Sequence, residues 1–129
     1  MYVGVLLQGS VPLRPLDRGD SSLISQPQQV TARTEDEWTT LWRQHAPTRP
    51  RPEVDFSREM VMGVFLGGRP TAGFRVEILD ARFESDTMVV RFRETRPSAD
   101  AISAQMLTSP YQLVALSARA TAIRFEKAE

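Results

Sequence analysis

The chain has 129 residues and no cysteine, and its 16 basic side chains are balanced by 16 acidic ones. This length predicts a single domain over residues 1–129, and the lack of cysteine excludes disulfides and thiolate metal sites. Because no basic cluster or long apolar run occurs, the sequence also argues against sequence-independent nucleic-acid binding and against a membrane span.

Residues 2–7 form the first apolar run and predict a strand. They make a poor signal peptide because no basic residue precedes them, so the compartment stays open: cytoplasm, or export after removal of a leader. The polar stretch 12–20 ends in an Arg-Gly-Asp tripeptide, which we interpret as a turn because such a tripeptide arises easily by chance. Residues 22–33 are predicted to be extended, and the interruption by Pro27 is typical of an edge strand.

Residues 34–45 carry the strongest helix signal in the chain. Thr34 can cap the N-terminus, with Glu37 three residues later at the capping-box spacing, and Pro47 ends the pattern. One helix face is apolar because four side chains recur at i, i+3, i+4 and i+7, namely Trp38, Leu41, Trp42 and His45. We expect this face to be buried against a sheet.

Residues 60–66 predict a central strand covered on both faces, because apolar side chains occupy both alternations. A tight connection at 67–73 leads to a long strand at 74–83. Its apolar phase slips near Leu79, which indicates a β-bulge.

A hairpin turn at 84–86 precedes a return strand at 87–93. The long segment 94–110 is bounded by prolines and offers one short helical stretch, at 101–107. Two further strands complete the chain, at 111–118 and 121–126.

Together these elements predict an α+β fold that is mainly β, with a strongly curved, mostly antiparallel sheet and the 34–45 helix packed on it. Large apolar side chains from the helix and the strands form the predicted core: Trp38, Trp42, Val61, Phe65, Val76, Ile78, Val90, Leu113 and Ile123.

No residue pattern predicts catalysis. His45 is the single histidine, and the chain has neither an H-x-x-x-H spacing nor a G-x-S-x-G elbow, so we predict a structural role for it. Carboxylate pairs such as Asp55 with Glu59, or Glu77 with Asp80, are flanked by arginines, which favours solvated ion pairs. We therefore expect no enzyme activity, no metal and no cofactor.

The glycine-rich loop 67–73 lies between two strands and lacks the lysine of a phosphate-binding loop. Its glycines allow positive φ angles, and Arg69 with Pro70 predicts a stiff, protruding tip. The loop is thus either a contact surface or a plain turn. Tyr111, which follows the long segment, suits packing and recognition equally.

The stretch 54–78 has an Asp-Phe pair before an apolar strand, then the 67–73 loop, then a strand ending in Val-Glu-Ile. It resembles the C-terminal domain of the PrcB family, accessory subunits of bacterial protease complexes. The Glu-Trp and Leu-Trp pairs of the helix and the Thr-Ser-Pro-Tyr run at 108–111 resemble further motifs of that family, so the resemblance spans about residues 22–126. Ala72 and Phe74 depart from it, where glycine and tyrosine are expected.

The resemblance implies a protein partner, such as a protease, and no catalytic residues. Our first hypothesis is accordingly a non-catalytic protein-binding module, with these partner-binding residues: Gly67, Gly68, Arg69, Pro70, Thr71, Gly73, Pro110 and Tyr111. The alternative is a protease inhibitor, because the Pro-Thr-Ala-Gly-Phe run at 70–74 is similar to the Pro-Thr-Thr-Gly-Tyr loop of chagasin-type cysteine-protease inhibitors. The 34–45 helix has no place in that fold.

Overall fold

The structure is a computed structural model that describes residues 10–129. This part of the chain contains the following elements: β1 Arg14–Gly19, β2 Gln28–Ala32, α1 Glu35–His45, β3 Glu59–Phe65, β4 Arg75–Glu84, β5 Thr87–Thr95, β6 Tyr111–Ser117 and β7 Ala122–Ala128. The predicted fold class, α+β and mainly β, is confirmed. The strand predicted at residues 2–7 lies outside the described residues.

The strands divide into two sheets, where the sequence suggested one. The first sheet has the order β1-β6-β3-β2 and is antiparallel throughout. The second has the order β4-β5-β7, in which β4 and β5 are antiparallel and β5 and β7 are parallel. The predicted edge strand is β2, immediately after Pro27.

Strand β1 replaces part of the polar stretch that was predicted to end in a turn. It lies at an edge of the first sheet and pairs with β6, and its register shifts between Pro15 and Asp17. Because proline has no N–H to donate, an irregular edge strand is a position that accommodates it.

The first sheet is the middle of three layers. Its inner face meets the second sheet in a cluster that includes Met60, Met62, Val64, Val76, Ile78, Ala81, Val90, Phe92, Val114 and Leu116. Its outer face meets α1 in a cluster that includes Trp38, Leu41, Trp42, Val61, Phe65, Tyr111 and Leu113. Strand β3 is therefore covered on both faces, as predicted. Of the predicted core residues, Ile123 alone is no more than partly buried.

Helix α1 forms for the local reasons read from the sequence. Thr34 Oγ1 accepts a hydrogen bond from the Glu37 backbone N–H at 3.1 Å, and Glu37 Oε1 accepts one from the Arg33 N–H at 2.7 Å. The predicted apolar face is buried, and both indole N–H groups reach carbonyl oxygens: Trp38 that of Pro52 and Trp42 that of Arg49, each at 2.9 Å.

The bulge predicted in β4 is confirmed, since its register with β5 shifts between Ile78 and Asp80. The hairpin turn is also confirmed, with Ser85 at a φ of 60°. The short helix considered at 101–107 is wrong, because those residues have no regular secondary structure.

Candidate functional site

The loop 67–73 is fixed to the long segment that precedes β6. The backbone N–H groups of Arg69 and Thr108 each donate to the other residue's carbonyl oxygen at 2.8 Å. The Ala72 N–H donates to the Ala104 carbonyl at 3.0 Å. These bonds make one continuous backbone platform from two segments that are distant in sequence.

The Arg69 side chain folds back onto the protein, whereas the sequence suggested that it projects. Its guanidinium donates to both carboxylate oxygens of Glu94, at 2.8 and 3.1 Å, and to the carbonyls of Leu66 and Gly68, each at 3.0 Å. The hydrogen bond from Arg69 holds the pKa of Glu94 at about 2, with help from Lys127. Arg69 is thus an anchor of the loop.

Two glycines of the loop have backbone conformations that suit glycine. Gly67 has a φ of 80° and Gly73 a φ of 99°. A Cβ at Gly67 would lie 2.9 Å from the ring of Pro27, and one at Gly73 would lie 2.8 Å from Pro97. Both glycines therefore allow the loop to approach neighbouring chain closely.

The eight predicted contact residues differ in exposure. Gly68, Pro70 and Gly73 are exposed, and Arg69 and Thr71 are half-buried. Pro110, Tyr111 and Gly67 are buried in the chain, and their assignment as contact residues stays a prediction. The Tyr111 ring packs against the His45 ring, with centroids 4.2 Å apart, and belongs to the apolar cluster between the first sheet and α1.

Four large apolar side chains in the described residues are exposed: Leu23, Ile102, Met106 and Leu107. Leu107 lies beside the loop, since a Cβ added at Gly68 would be 3.6 Å from its Cδ1. Sequence analysis did not single out these side chains. For Ile102, Met106 and Leu107 the available signal was their apolar character within a long segment bounded by prolines.

Leu23 belongs to the same end of the molecule. Its neighbour Ser22 donates from its N–H to the Ser109 carbonyl at 3.1 Å, and Ser109 Oγ donates to the Ile24 carbonyl at 2.7 Å. The Gly68 N–H donates to the Ser25 carbonyl at 3.3 Å. We call the surface formed by Leu23, Pro70, Ile102, Met106 and Leu107 the apolar end surface.

A pocket of about 380 Å³ lies between the end of β1 and the start of β4. Gly73 and Tyr111 both line it, together with two arginines, Arg18 and Arg75. The Arg-Gly-Asp tripeptide forms part of its wall: Arg18 and Gly19 are the last residues of β1 and Asp20 follows them, so the tripeptide does not project as an isolated turn.

A buried hydrogen-bond chain connects Ser22, His45 and Asp17 beneath this end of the fold. Ser22 Oγ lies 2.8 Å from His45 Nδ1, and His45 Nε2 lies 3.0 Å from Asp17 Oδ2. Because an ionised carboxylate can only accept, the His45 proton is on Nε2, and the Ser22 hydroxyl donates to Nδ1. The Ser22 oxygen in turn accepts from the Ile24 N–H at 3.1 Å.

This chain differs from a hydrolytic triad in two respects. In a triad the serine bonds to Nε2 and the aspartate to Nδ1, which is the reverse of the arrangement found. Here Ser22 is 7% exposed and His45 is 1% exposed, so the hydroxyl does not face a cleft. The three side chains connect β1, the segment before β2 and the C-terminal end of α1.

The ionisation of this network follows from burial and from Arg49. Burial lowers the pKa of His45, against the opposing effect of Asp17. Burial by itself would raise the pKa of Asp17. Hydrogen bonds from Arg49, His45 and Tyr111 outweigh this effect, so the pKa of Asp17 is lowered. Burial, aided by Asp17, raises the pKa of Tyr111 to about 12. The histidine is therefore neutral and the carboxylate is ionised near neutral pH.

Among residues 10–129, no group of three or more His, Cys, Asp or Glu side chains could hold a metal ion. Helix α1 is not long and apolar enough to cross a membrane.

A scan against protein families matches residues 60–117 to the family described as PrcB C-terminal. Residues 60–117 are thus similar to the PrcB C-terminal family. Searches of curated proteins and of solved structures gave no match. The resemblance read from the sequence is thereby confirmed over the matched residues.

The PrcB C-terminal match begins in β3 and runs through the 67–73 loop, β4, β5, the long segment and β6. It thus contains both halves of the backbone platform and most of the apolar end surface. Helix α1 and strands β1, β2 and β7 lie outside it.

Of the two departures from the PrcB pattern, Ala72 lies in the platform and Phe74 lies directly after the 67–73 loop. Phe74 is half-buried, and the Arg69 guanidinium carbon is 5.8 Å from the centre of its ring. Ala72 contributes its backbone N–H to the platform. Packing and main-chain bonds therefore hold the loop in this chain without the tyrosine hydroxyl expected for the family.

Proposed function

We propose that the chain is a non-catalytic protein-binding module that holds a protein partner against the apolar end surface. The observation that carries this proposal is the clustering of exposed apolar side chains. Leu23, Ile102, Met106 and Leu107 are 67%, 103%, 55% and 79% exposed. Backbone hydrogen bonds hold the segments that carry them together at one end of the fold.

Burial of these side chains would drive association. Removing apolar surface from water is worth about 25 cal/mol per Å², and soluble monomers rarely expose large contiguous apolar patches. The platform bonds between Arg69 and Thr108 and between Ala72 and Ala104 fix the backbone beneath the surface. A surface ordered in advance loses less conformational entropy on binding.

The family supports a protease as the partner, since the PrcB resemblance implies an accessory subunit of a protease complex. The buried, reversed Ser22–His45–Asp17 chain supports a role without chemistry. The 67–73 loop is hydrogen-bonded to neighbouring segments, which favours a binding module over an inhibitor, because a loop that enters a protease active site must project from the protein surface. Here Arg69 folds back on Glu94, and the Thr71 carbonyl accepts a hydrogen bond from Thr108 Oγ1 at 3.0 Å.

The test mixes the chain with any purified protease whose gene lies in its genomic neighbourhood. We expect a stoichiometric complex by size-exclusion chromatography, with protease activity retained. The double variant Met106→Asp with Leu107→Asp should weaken binding by at least about tenfold. The matched control is Arg43→Asp, an exposed change on α1 away from this surface.

Three results would contradict the proposal. Equal binding by the double variant would exclude the apolar end surface as the contact. Stoichiometric loss of cysteine-protease activity on adding the chain would establish the inhibitor alternative instead. Hydrolysis of an ester substrate by the chain alone, abolished by Ser22→Ala, would establish an enzyme.

A further inference from the structure

The two sheets have four outer edges, and β2 differs from the other three. Strand β1 carries Arg14, Arg18 and a register shift, and β4 carries a bulge and charged side chains along its length. Strand β7 carries charges at Arg124, Glu126 and Lys127. Charges and bulges at an edge hinder pairing with another chain.

Strand β2, Gln28–Ala32, has neither protection. Its five residues are Gln-Gln-Val-Thr-Ala, without a charge, a proline or a register shift against β3. Within residues 10–129, no strand pairs with its outer side. Every second residue of an antiparallel strand directs its N–H and C=O outward, so this edge offers hydrogen bonds to an extended chain.

A groove of about 370 Å³ runs along this edge, between β2 and α1. Val30 and Ala32 line it from the strand, and Thr40 and Leu41 line it from the helix. Its lining includes both the first and the last residue of β2, Gln28 and Ala32, and five extended residues span about 17 Å. The groove can therefore take alternate side chains of a strand added to β2.

The groove is acidic at one end. Asp36 and Glu37 line it in the first turn of α1, and no lysine or arginine is among its lining residues. Arg33, the nearest cation in sequence, donates to the carbonyls of Arg119 and Thr121 instead. Two carboxylates outweigh the roughly half positive charge of the helix N-terminus, so this end attracts a cation.

We infer that the β2 edge and the α1 groove bind an extended segment of a partner protein, which adds as a strand and places a lysine or arginine beside Asp36. Main-chain bonds to β2 supply affinity, and the groove selects apolar side chains at alternate positions with a basic one at the acidic end. The site shares no residue with the apolar end surface, so it goes beyond the proposed function.

Two blocked hexapeptides serve as probes, acetyl-Lys-Thr-Val-Thr-Val-Thr-amide and acetyl-Val-Thr-Val-Thr-Lys-Thr-amide. They place the lysine near opposite ends, so the tighter one reports whether the strand adds antiparallel or parallel to β2. Each is titrated to millimolar concentration into the full chain, followed by backbone amide NMR. Control peptides carry glutamate for lysine, or N-methyl groups at alternate positions.

We expect amide shifts at residues 28–32 and 36–44, slower hydrogen exchange within β2, and loss of binding on N-methylation. The glutamate peptides should bind several-fold more weakly. Thr40→Arg, an exposed change that fills the groove, should weaken binding by about tenfold or more. Arg43→Gln, also exposed on α1 but outside the groove lining, should leave it unchanged.

Other outcomes overturn the inference. Shifts confined to 67–73 and 102–107, insensitivity to N-methylation, or no shift from either lysine peptide would each do so. Dimerisation with dilution-dependent shifts at 28–32 would make a second copy the occupant. Nuclear Overhauser contacts between residues 1–9 and β2 in the free chain would make its own N-terminal segment the occupant.

Discussion

Arg69 and Glu94 form a bidentate ion pair, with two N–O distances of 2.8 and 3.1 Å and a Glu94 side chain that is 5% exposed. A buried bidentate pair of this kind is among the stronger charged interactions in proteins. It joins the 67–73 loop to the end of β5, and it governs how the platform responds to acid.

Glu94→Gln should lower the free energy of unfolding by about 2–3 kcal/mol at neutral pH. The pKa of Glu94 is about 2 in the folded state against an ordinary 4.5. Because the folded pKa is the lower one, this stabilisation is complete above pH 4.5 and is lost as the pH falls toward 2. Urea titrations across this window should show a flatter pH dependence for the variant.

The matched control for this prediction is Glu84→Gln. Glu84 pairs with Arg124 at 2.9 Å, but both side chains are about half exposed. Exposed pairs contribute roughly 0–1 kcal/mol, so this change should have little effect. Equal effects of the two substitutions would refute the role assigned to Glu94.

His45 should make the protein less stable as the pH falls below its ordinary pKa of 6.5. Burial lowers the folded pKa, so the unfolded chain takes up the proton more readily than the native state. The contribution of neutral His45 to the free energy of unfolding is therefore complete above pH 6.5 and decreases as the pH falls below 6.5. Since the chain has one histidine, a change in unfolding free energy between about pH 7.5 and 5.5 reports on His45. No change, or greater stability at the lower pH, would contradict the prediction.

Gly67→Ala should destabilise the fold by about 1–3 kcal/mol, whereas Gly68→Ala should change little. Gly67 has a φ of 80°, and an added Cβ would lie 2.9 Å from Pro27. At Gly68 the nearest atom would be 3.6 Å away, on Leu107. Thermal unfolding of the two variants side by side measures the difference, and comparable melting temperatures would show that the loop tolerates a side chain at both positions.

Trp42→Ala should lower the free energy of unfolding by about 3–5 kcal/mol. The side chain is 4% exposed in the helix-side core, and its N–H donates to the Arg49 carbonyl at 2.9 Å. Arg43→Ala, at the exposed adjacent position, should cost less than about 0.5 kcal/mol. Chemical denaturation distinguishes these values, and a loss below about 1 kcal/mol for Trp42→Ala would refute the packing of α1.

The features that sequence analysis predicted well have local causes. Helix α1 carries its own cap at Thr34 and its own apolar stripe, and the bulge near Leu79 shows in the slipped phase of one strand. The central position of β3 follows from apolar residues on both of its faces.

The features it missed depend on contacts between distant residues. The division into two sheets depends on parallel pairing of β5 with β7, which neither strand indicates alone. Arg69 looks like an exposed loop tip until Glu94, 25 residues later, is placed beside it. Tyr111 has equal signals for packing and recognition in the sequence, and its contact with the His45 ring depends on a residue far away in the chain.

Strand β6 lies between β1 and β3, so the earliest and middle parts of the first sheet meet through residues 111–117. A ribosome must therefore release residues 111–117 before this sheet can close. Pairings between such distant residues also slow folding, because a long loop must close before the contacts form. Until β6 has been synthesised, the edge of β3 that pairs with it stays unpaired. An unpaired apolar strand edge promotes aggregation, so the nascent chain is most prone to aggregate during this interval.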